Sequence, residues 1–274
     1  MDGILIRSDL QRAIGEVCVS VKQRGGQPAL DELRQVGCLK VRFPRADNPE
    51  WLNVVTLNTS GGIAGGDDLR SSFIINADAR ATIASQAAER FYRALPGSAA
   101  SDVQASIAVG RGGAAEWLPQ ETILFNGCAV RRQLCVELAK DAWFLGVESL
   151  VFGRAAMGEV VERGSLRDLI EIRRGGRLLL HDPIRLAGEI AGMLRHPAVA
   201  DGARAVATVV HVAPDAEAML DDVRAAAPEC GASAWDGMLI ARTLASDSAA
   251  LRASVVAILH VLRRGRTLPR VWQC

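Results

Sequence analysis

The sequence predicts a mainly β protein that carries two α-helices toward its carboxyl end. Before residue 182 the chain consists of short segments in which apolar and polar residues alternate, and glycine-containing turns separate them. After residue 213 apolar residues recur instead at helical spacing. No low-complexity linker divides the chain. We therefore expect a single domain over residues 1–274, with a β-rich part at 1–213 and a helix-containing part at 214–274.

The first strand is predicted where Val17, Val19 and Val21 alternate with small or polar residues before a turn at 23–27. The same alternation recurs at residues 39–43, 103–109, 134–138, 170–172 and 178–180. No helical pattern lies between these segments, and parallel strands require long crossover connections. We therefore expect stacked sheets of antiparallel strands.

Two helices are predicted after the β-rich part. The first lies between Pro214 and Pro228. Its apolar face consists of Met219, Leu220, Val223 and Ala227. The second begins at Ser246 or Asp247, either of which can cap it, and ends near Gly265. Its apolar stripe consists of Leu251, Val255, Ile258, Leu259 and Leu262.

Charge and composition exclude several classes of protein. The chain has 274 residues, and 32 lysines and arginines nearly balance 31 aspartates and glutamates, which argues against general binding to nucleic acid or to an anionic membrane. No apolar window is long enough to span a membrane, and the amino end carries charge where a secretory signal would be apolar. We expect a cytoplasmic protein whose six cysteines, none in a C-x-x-C pair, pack as small apolar side chains.

Residues 61–68, Gly-Gly-Ile-Ala-Gly-Gly-Asp-Asp, form the most unusual stretch of the sequence. It does not fit a phosphate-binding loop, because two carboxylates follow the last glycine and a strand-like segment replaces the helix that would hold the phosphate. Dense glycine instead indicates a backbone that takes positive φ or passes close to another backbone. Such a backbone would hold Asp67 in a fixed position. An ordinary tight turn is the alternative.

The sequence lacks motifs for hydrolysis and for tight metal binding. There is no G-x-S-x-G, and His181, His196, His211 and His260 lie far apart without an H-E-x-x-H. Two competing function classes are a β-helical carbohydrate-active enzyme and a structural β-solenoid interaction module. The first would need paired carboxylates and aromatic sugar platforms. The second would need a repeat of fixed period, which the turns do not show.

Five short motifs resemble the UreD/UreH family of urease accessory proteins. They are Gly-Gly-Ile-Ala-Gly-Gly-Asp at 61–67, QAAERFYR at 86–93, EWLPQETILF at 116–125, Gly-Arg and Gly-Glu at 153–154 and 158–159, and Leu-Pro-Arg-Val-Trp at 268–272. The motifs occur in the family's order, and the resemblance covers nearly the whole chain. One departure precedes the first glycine pair, where many members carry His-Pro-Pro and this chain has Asn58, Thr59 and Ser60.

The resemblance implies a β-helix-like or stacked-sheet fold with two helices, and a role that is not enzymatic. Members of the family bind apo-urease and serve as a scaffold for the accessory protein UreF, which recruits the nickel-carrying GTPase UreG. Together these proteins load nickel into the urease active site. The resemblance therefore implies a place in a dimeric UreD-UreF-UreG assembly, with no tightly bound cofactor and with nickel only in transit.

A water-filled passage through the protein is the physical account of nickel transfer that the resemblance suggests. Such a passage needs weak, successive oxygen ligands, since thiolates or several histidines would hold the ion. Asp67 and Glu171 are predicted to line it, with Glu148 as a further transient ligand. In the alternative, Glu148 and Glu159 form structural ion pairs with nearby arginines such as Arg154.

The last helix and the tail are predicted to bind a UreF-like helical partner, because so wide an apolar face on a terminal helix must be covered. Arginine and tryptophan are enriched at interface hot spots, and the last of the five motifs contains one of each. The predicted partner-binding residues are Leu251, Val255, Ile258, Leu262, Arg270 and Trp272. In the alternative, the helix packs on its own sheet and the tail locks it there.

Overall fold

A computed structural model of the chain describes residues 12–273. Strands dominate this part of the chain. The first nine strands are β1 (Ile14–Arg24), β2 (Gln27–Gly37), β3 (Leu39–Arg42), β4 (Leu52–Asn58), β5 (Asp68–Ile75), β6 (Arg80–Ser85), β7 (Glu89–Phe91), β8 (Ser101–Val109) and β9 (Ala114–Leu118).

The later strands are interspersed with short helices. These strands are β10 (Thr122–Leu124), β11 (Ala129–Leu138), β12 (Trp143–Phe152), β13 (Arg163–Arg174), β14 (Arg177–Glu189), β15 (Ala205–Val212), β16 (Gly231–Trp235) and β17 (Met238–Ala245). The α-helices are α1 (Ile190–Arg195), α2 (Leu220–Ala226) and α3 (Ser248–Leu262). Single turns of 3-10 helix lie at Ala155–Met157, Glu217–Met219 and Arg270–Trp272.

The strands form two sheets. The first sheet has the strand order β14-β13-β11-β8-β5-β1-β2, and the second has the order β16-β17-β15-β12-β9-β6-β4-β3. The short strands β7 and β10 also belong to the second sheet but lie outside this strand order, since β10 pairs with both β12 and β7. The mainly β fold predicted from the sequence is confirmed. Neither sheet closes on itself, and the β-helix-like arrangement is not confirmed.

The prediction of antiparallel pairing is wrong for the middle of both sheets. In the first sheet β1, β5, β8, β11 and β13 pair in parallel, and in the second β4, β6, β9 and β12 do so. Antiparallel ladders lie toward the edges, as between β1 and β2 and between β13 and β14. Between β4 and β13 the long strands alternate between the two sheets, so a strand of the opposite sheet provides the crossover that a helix provides in α/β proteins.

The inward faces of the two sheets pack against each other to form the first core. Val19, Phe73 and Ile107 come from the first sheet, and Ile83 and Phe144 come from the second. Each of these side chains is at most 1% exposed. The period-two alternation of the strands explains the arrangement, because every second residue points to the same face of a sheet.

The outward face of the second sheet is covered by helices and forms a second core. Leu145 and Val147 of β12, Val209 of β15 and Val223 of α2 belong to one buried cluster with the apolar stripe of α3. The inward and outward faces of β12 are therefore both buried. This explains why its sequence is a nearly continuous apolar run.

The structure confirms the second predicted helix, shortens the first and adds elements that the sequence analysis missed. Asp247 caps α3, because its carboxylate accepts a hydrogen bond from the Ala250 backbone N–H at 2.9 Å. The first predicted helix consists of a 3-10 turn followed by the seven residues of α2. The sequence analysis missed α1, and it also missed β16 and β17, which lie within residues 214–274.

Within residues 12–273, no helix combines the length and the apolar character that crossing a bilayer requires. Five of the six cysteines belong to the same part of the chain, and none of these five forms a disulfide. Cys128 is buried, and burial raises the pKa of its thiol to about 11, which keeps it protonated at neutral pH. Cys274 lies outside the described residues.

Candidate functional site

A cavity of about 360 Å³ lies between the two sheets. Strands of the first sheet contribute Ser71 and Arg132 to its lining, and elements of the second contribute Glu89, Trp117 and Glu148. The cavity is large enough for several water molecules, and its polar side chains give such waters hydrogen-bonding partners. It is a polar region between two faces that are largely apolar.

Arg132 joins the two sheets across this cavity. On its own sheet, Nε and Nη2 each lie 2.8 Å from a carboxylate oxygen of Asp168 on β13. On the opposite sheet, Nη1 lies 2.7 Å from Glu148 Oε2 on β12. Asp168 and Glu148 are both under 10% exposed, so two carboxylates share one guanidinium in a region of low dielectric constant.

Glu148 is held by more than this ion pair. The Trp117 indole Nε1 donates to Glu148 Oε1 at 2.7 Å, and Arg132 Nη1 also donates to the Thr122 hydroxyl at 2.7 Å. Burial raises the pKa of Glu148, although the charge of Arg132 acts in the opposite direction. Among the described residues, Glu148 is thus the one predicted path carboxylate that lines the cavity.

Glu89, which the sequence analysis did not identify, also lines the cavity. Its two carboxylate oxygens lie 3.3 and 3.2 Å from the Asn58 amide nitrogen. No lysine, arginine or histidine of residues 12–273 lies within ion-pair distance of it. Burial raises the pKa of Glu89, and the hydrogen bond from Asn58 only partly opposes this effect.

Asp67 is buried, but it is not part of the cavity lining. Its Oδ1 accepts the Ala13 backbone N–H at 2.9 Å, and its Oδ2 accepts the Ala64 N–H at 2.8 Å. Gly62 and Gly66 on either side of Ala64 have φ values of 138° and 87°, which side chains other than glycine rarely adopt. The glycine segment is therefore a turn that Asp67 ties to the start of β1. The role of Asp67 on a nickel path stays a prediction.

Glu171 lies on the opposite face of the first sheet from the cavity. On β13, Asp168, Ile170 and Ile172 are buried, and Glu171 lies between two of these inward positions. Its carboxylate pairs with Arg173 at 3.0 Å and with the His181 ring at 3.3 Å. The hydrogen bond from Arg173, followed by that from His181, lowers the pKa of Glu171. The structure thus separates Glu171 from Glu148, and the role of Glu171 as a nickel ligand stays a prediction.

Glu159 and Glu148 both form ion pairs with arginines, as the alternative to a nickel-path role predicted. Glu159 accepts from Arg154 Nε at 2.7 Å, as the alternative stated. Glu148 also forms an ion pair, but its partner is Arg132 and not Arg154. Because Arg132 comes from a strand of the other sheet, its proximity to Glu148 could not be seen from sequence distance.

The apolar stripe of α3 packs on the chain's own sheet. The sequence analysis gave this arrangement as the alternative to a partner-binding face. Leu251, Val255, Ile258 and Leu262 are each at most 2% exposed. The tail is fixed in the same way, since Trp272 Nε1 donates to the Leu118 carbonyl at 2.9 Å. By contrast, the Arg270 side chain is 80% exposed and lies 4.0 Å from Asp47. Partner binding by these residues stays a prediction.

The 116–125 segment connects the cavity with the carboxyl end of the chain. Trp117 points toward the cavity, whereas its neighbour Glu116 points to the helical side of the second sheet and is fully buried. There Glu116 accepts from Arg263 Nε at 2.9 Å and Nη2 at 3.0 Å, and from Arg266 Nη2 at 2.7 Å. Gln120 donates to the Val271 carbonyl at 2.7 Å.

The sequence analysis missed Arg132, Asp168, Glu89 and Glu116. A signal for the first two was present in the alternation of the strands. Arg132 and Asp168 occupy positions whose neighbours two residues away, such as Val130 and Leu166, are apolar and buried. A charged residue at an inward position of a strand is costly unless it is paired, so such residues mark a polar interior.

Within residues 12–273, no group of three or more histidine, cysteine, aspartate or glutamate side chains is placed to hold a metal ion. The ligands that the cavity provides for a cation are instead separate carboxylates and water. Ligands of that kind bind divalent ions weakly, and weak binding suits an ion that must leave again.

Comparison with known proteins identifies similar chains. The family model described as UreD urease accessory protein matches residues 13–273. A urease accessory protein UreD from Dinoroseobacter shibae is 47% identical, with 96% of this chain and 93% of the relative covered. Proteins with the same name from Azorhizobium caulinodans and Rhodopseudomonas palustris are 44% and 42% identical, with at least 93% of either chain covered.

Replacing Arg132 by methionine should strongly destabilise the fold. The change leaves Asp168 and Glu148 buried without their cation, which typically costs about 3–5 kcal/mol. Urea denaturation would measure the free energy of unfolding. The matched control is Arg131→Met on the same strand, whose exposed side chain should contribute less than about 0.5 kcal/mol. Equal stability of the two variants would show that the cross-link between the sheets does not stabilise the fold.

The Glu89→Gln variant should change how stability depends on pH. The folded pKa of Glu89 is raised above its ordinary value of 4.5, so the folded chain binds this proton more tightly than the unfolded chain does. The fold therefore loses stability as the pH rises from about 4.5 through the folded pKa. The variant lacks this loss, so its stability relative to the natural chain should increase as the pH rises above about 4.5 and should level off once the folded pKa is passed. Urea denaturation at a series of pH values in metal-free buffer would measure it.

Glu159→Gln is the control of opposite sign. The pKa of Glu159 is lowered: its burial acts in the raising direction, but the hydrogen bond and charge of Arg154 and the hydrogen bond from the Asn126 backbone N–H together outweigh it. The carboxylate therefore contributes stability above pH 4.5, and this contribution is lost as the pH falls through the folded pKa. The variant should be less stable than the natural chain at neutral pH, and the difference should disappear in acid. Parallel profiles for the two variants would contradict the assignment of Glu89 as a desolvated carboxylate.

Proposed function

Because the chain belongs to the UreD family of urease accessory proteins, we propose that it is a scaffold through which nickel reaches apo-urease. The function of urease accessory protein follows from the family match over residues 13–273 and from relatives at 40–47% identity. The proposal adds a mechanism, in which the chain binds urease and its fellow accessory proteins and provides part of the route for the ion.

The proposed role is not catalytic. The glycine-rich segment is followed by β5 and not by the helix that a phosphate-binding loop requires, and the carboxylate of Asp67 is engaged with backbone N–H groups. GTP hydrolysis would therefore belong to a UreG partner, which a UreF partner recruits to this chain. This division of labour agrees with the resemblance of the sequence motifs.

The cavity between the sheets is the part of the chain that best supports a route for nickel. Its carboxylates, Glu89 and Glu148, come from different strands and do not converge on one tight site. Oxygen ligands of this kind hold a borderline cation weakly. Arg132 balances part of the negative charge, so the cavity is not so strongly anionic that it would trap the ion. This carboxylate-lined cavity is the single observation that carries the proposed passage.

The carboxyl end is the proposed docking region for the accessory partner. The buried stripe of α3 and Trp272 fix the tail on the second sheet, so this region presents a rigid surface. Arg270 contributes an exposed guanidinium beside Asp47 on this surface. A rigid, preorganised surface lowers the entropic cost of binding a partner.

Deletion of the gene tests the proposed function. In a host that carries the urease genes, the deletion should leave urease protein abundant but poor in nickel and inactive. Metal analysis of purified urease and an assay of urea hydrolysis would measure both. Restoring the full chain on a plasmid provides the control. A nickel content equal to that of the parent strain would remove the proposed role.

Filling the cavity tests the proposed passage. Ala105 on β8 lines the cavity, and a phenylalanine there should occupy space that an ion and its waters need. Ala105→Phe should lower the nickel content of urease several-fold while the chain still co-purifies with its partners. The matched control is Ala108→Phe on the outward, exposed face of the same strand, which should load urease normally. Normal loading with both variants, each shown to be folded by its melting temperature, would place the route elsewhere.

A further inference from the structure

The two carboxylates that line the cavity differ in what already binds them. Glu148 accepts short hydrogen bonds from the Arg132 guanidinium and the Trp117 indole, both at 2.7 Å. A cation arriving at Glu148 would have to displace or repel a buried guanidinium that also holds Asp168. Glu148 is therefore poorly placed to take up an ion first.

Glu89 forms no ion pair among the described residues, although the charge of its neighbour Arg90 acts weakly on its carboxylate. Its partners are the Asn58 amide nitrogen at 3.2 and 3.3 Å and the N–H of its neighbour Arg90 at 3.3 Å. These are long, weak contacts for a carboxylate, whose charge-assisted hydrogen bonds usually lie below 3 Å. A partly buried carboxylate without a cation is costly to the fold, and such groups are concentrated at functional sites.

Glu89 also lies at the end of the cavity that faces solvent. Gly61 and Gln86 line the cavity beside it, and both are exposed, whereas Arg132 and Glu148 are 11% and 9% exposed through their side chains. An ion that enters from this end meets Glu89 before it meets the cross-link between the sheets.

The surrounding backbone holds Glu89 in place. Asn58 Oδ1 accepts the Ser60 backbone N–H at 3.0 Å and its hydroxyl at 2.6 Å, which directs the amide nitrogen of Asn58 toward Glu89. The glycine turn pairs with the same short strand, since the Ile63 N–H donates to the Arg90 carbonyl at 2.7 Å. Asp67, which ties that turn through Ala64, is thus a positioning residue for β7.

We propose that Glu89 is the side chain that binds a divalent cation inside the cavity, with water completing the coordination and Asn58 fixing the carboxylate. This inference rests on the proposed function, because it identifies where the transported nickel first binds. One carboxylate and water form a weak, oxygen-rich site for a hard or borderline ion. Such a site would release the ion toward the interior and would not retain it.

Equilibrium dialysis of the untagged full chain against nickel chloride tests the inference. The natural chain should bind nickel weakly and saturably, and Glu89→Gln should weaken this binding about tenfold or more, since even residues behind a metal ligand change affinity by that much. Glu89→Gln preserves the shape of the side chain and its contact with Asn58. Glu89→Asp, which keeps a carboxylate, should retain part of the affinity.

Two further glutamates provide matched controls. Glu159→Gln removes a carboxylate that is paired with Arg154 and does not line the cavity, and Glu137→Gln removes an exposed one on the outer face of the first sheet. Both variants should bind nickel within about twofold of the natural chain, a difference of about 0.4 kcal/mol. Melting temperatures would show that all variants are folded.

The outcomes separate this inference from the proposed function. Unchanged nickel binding by Glu89→Gln, a loss shared equally by the two control variants, or no saturable binding by the natural chain would each overturn the assignment of Glu89, whatever the deletion strain shows. Normal nickel content of urease in the deletion strain would overturn the proposed function, even if Glu89 binds the ion. Loss of binding confined to the Glu89 variants supports the inference.

Discussion

The ion cluster of Arg132, Asp168 and Glu148 is the constraint around which the interior is arranged. It connects a strand of the first sheet to a strand of the second through charged groups that have little access to water. Replacing such a cluster by apolar side chains often costs a protein nothing in stability. Its effect on the structure is a polar space between two sheets that otherwise pack as an apolar core.

The carboxyl end depends on a second buried carboxylate. Glu116 is bound by Arg263 and Arg266, and the Arg266 guanidinium lies 4.3 Å from the centre of the Trp51 ring. Since Glu116 and Trp117 are consecutive on β9, the strand exposes one to the tail and the other to the cavity. The tail and the wall of the cavity therefore meet on the two faces of one strand.

The glycine turn and the short strand β7 form a third unit. Asp67 holds the turn, the turn pairs with β7 through Ile63, and Tyr92 donates its hydroxyl to the Gly61 carbonyl at 2.8 Å. Two motifs that are separated in the sequence are thus one structural feature. Its result is that Glu89, in the second motif, is fixed at the solvent-facing end of the cavity.

The sequence by itself determined the mainly β class, the approximate extent of α3 and, through its motifs, the family, and it narrowed the cap of α3 to Ser246 or Asp247. These features depend on local spacing, which a chain keeps in any fold. Only the tertiary structure decided the parallel pairing, because the crossover is a strand in the other sheet. It also decided that Glu171 lies outside the cavity while Arg132 and Glu89 lie within it, since residues far apart in sequence meet only when two sheets stack.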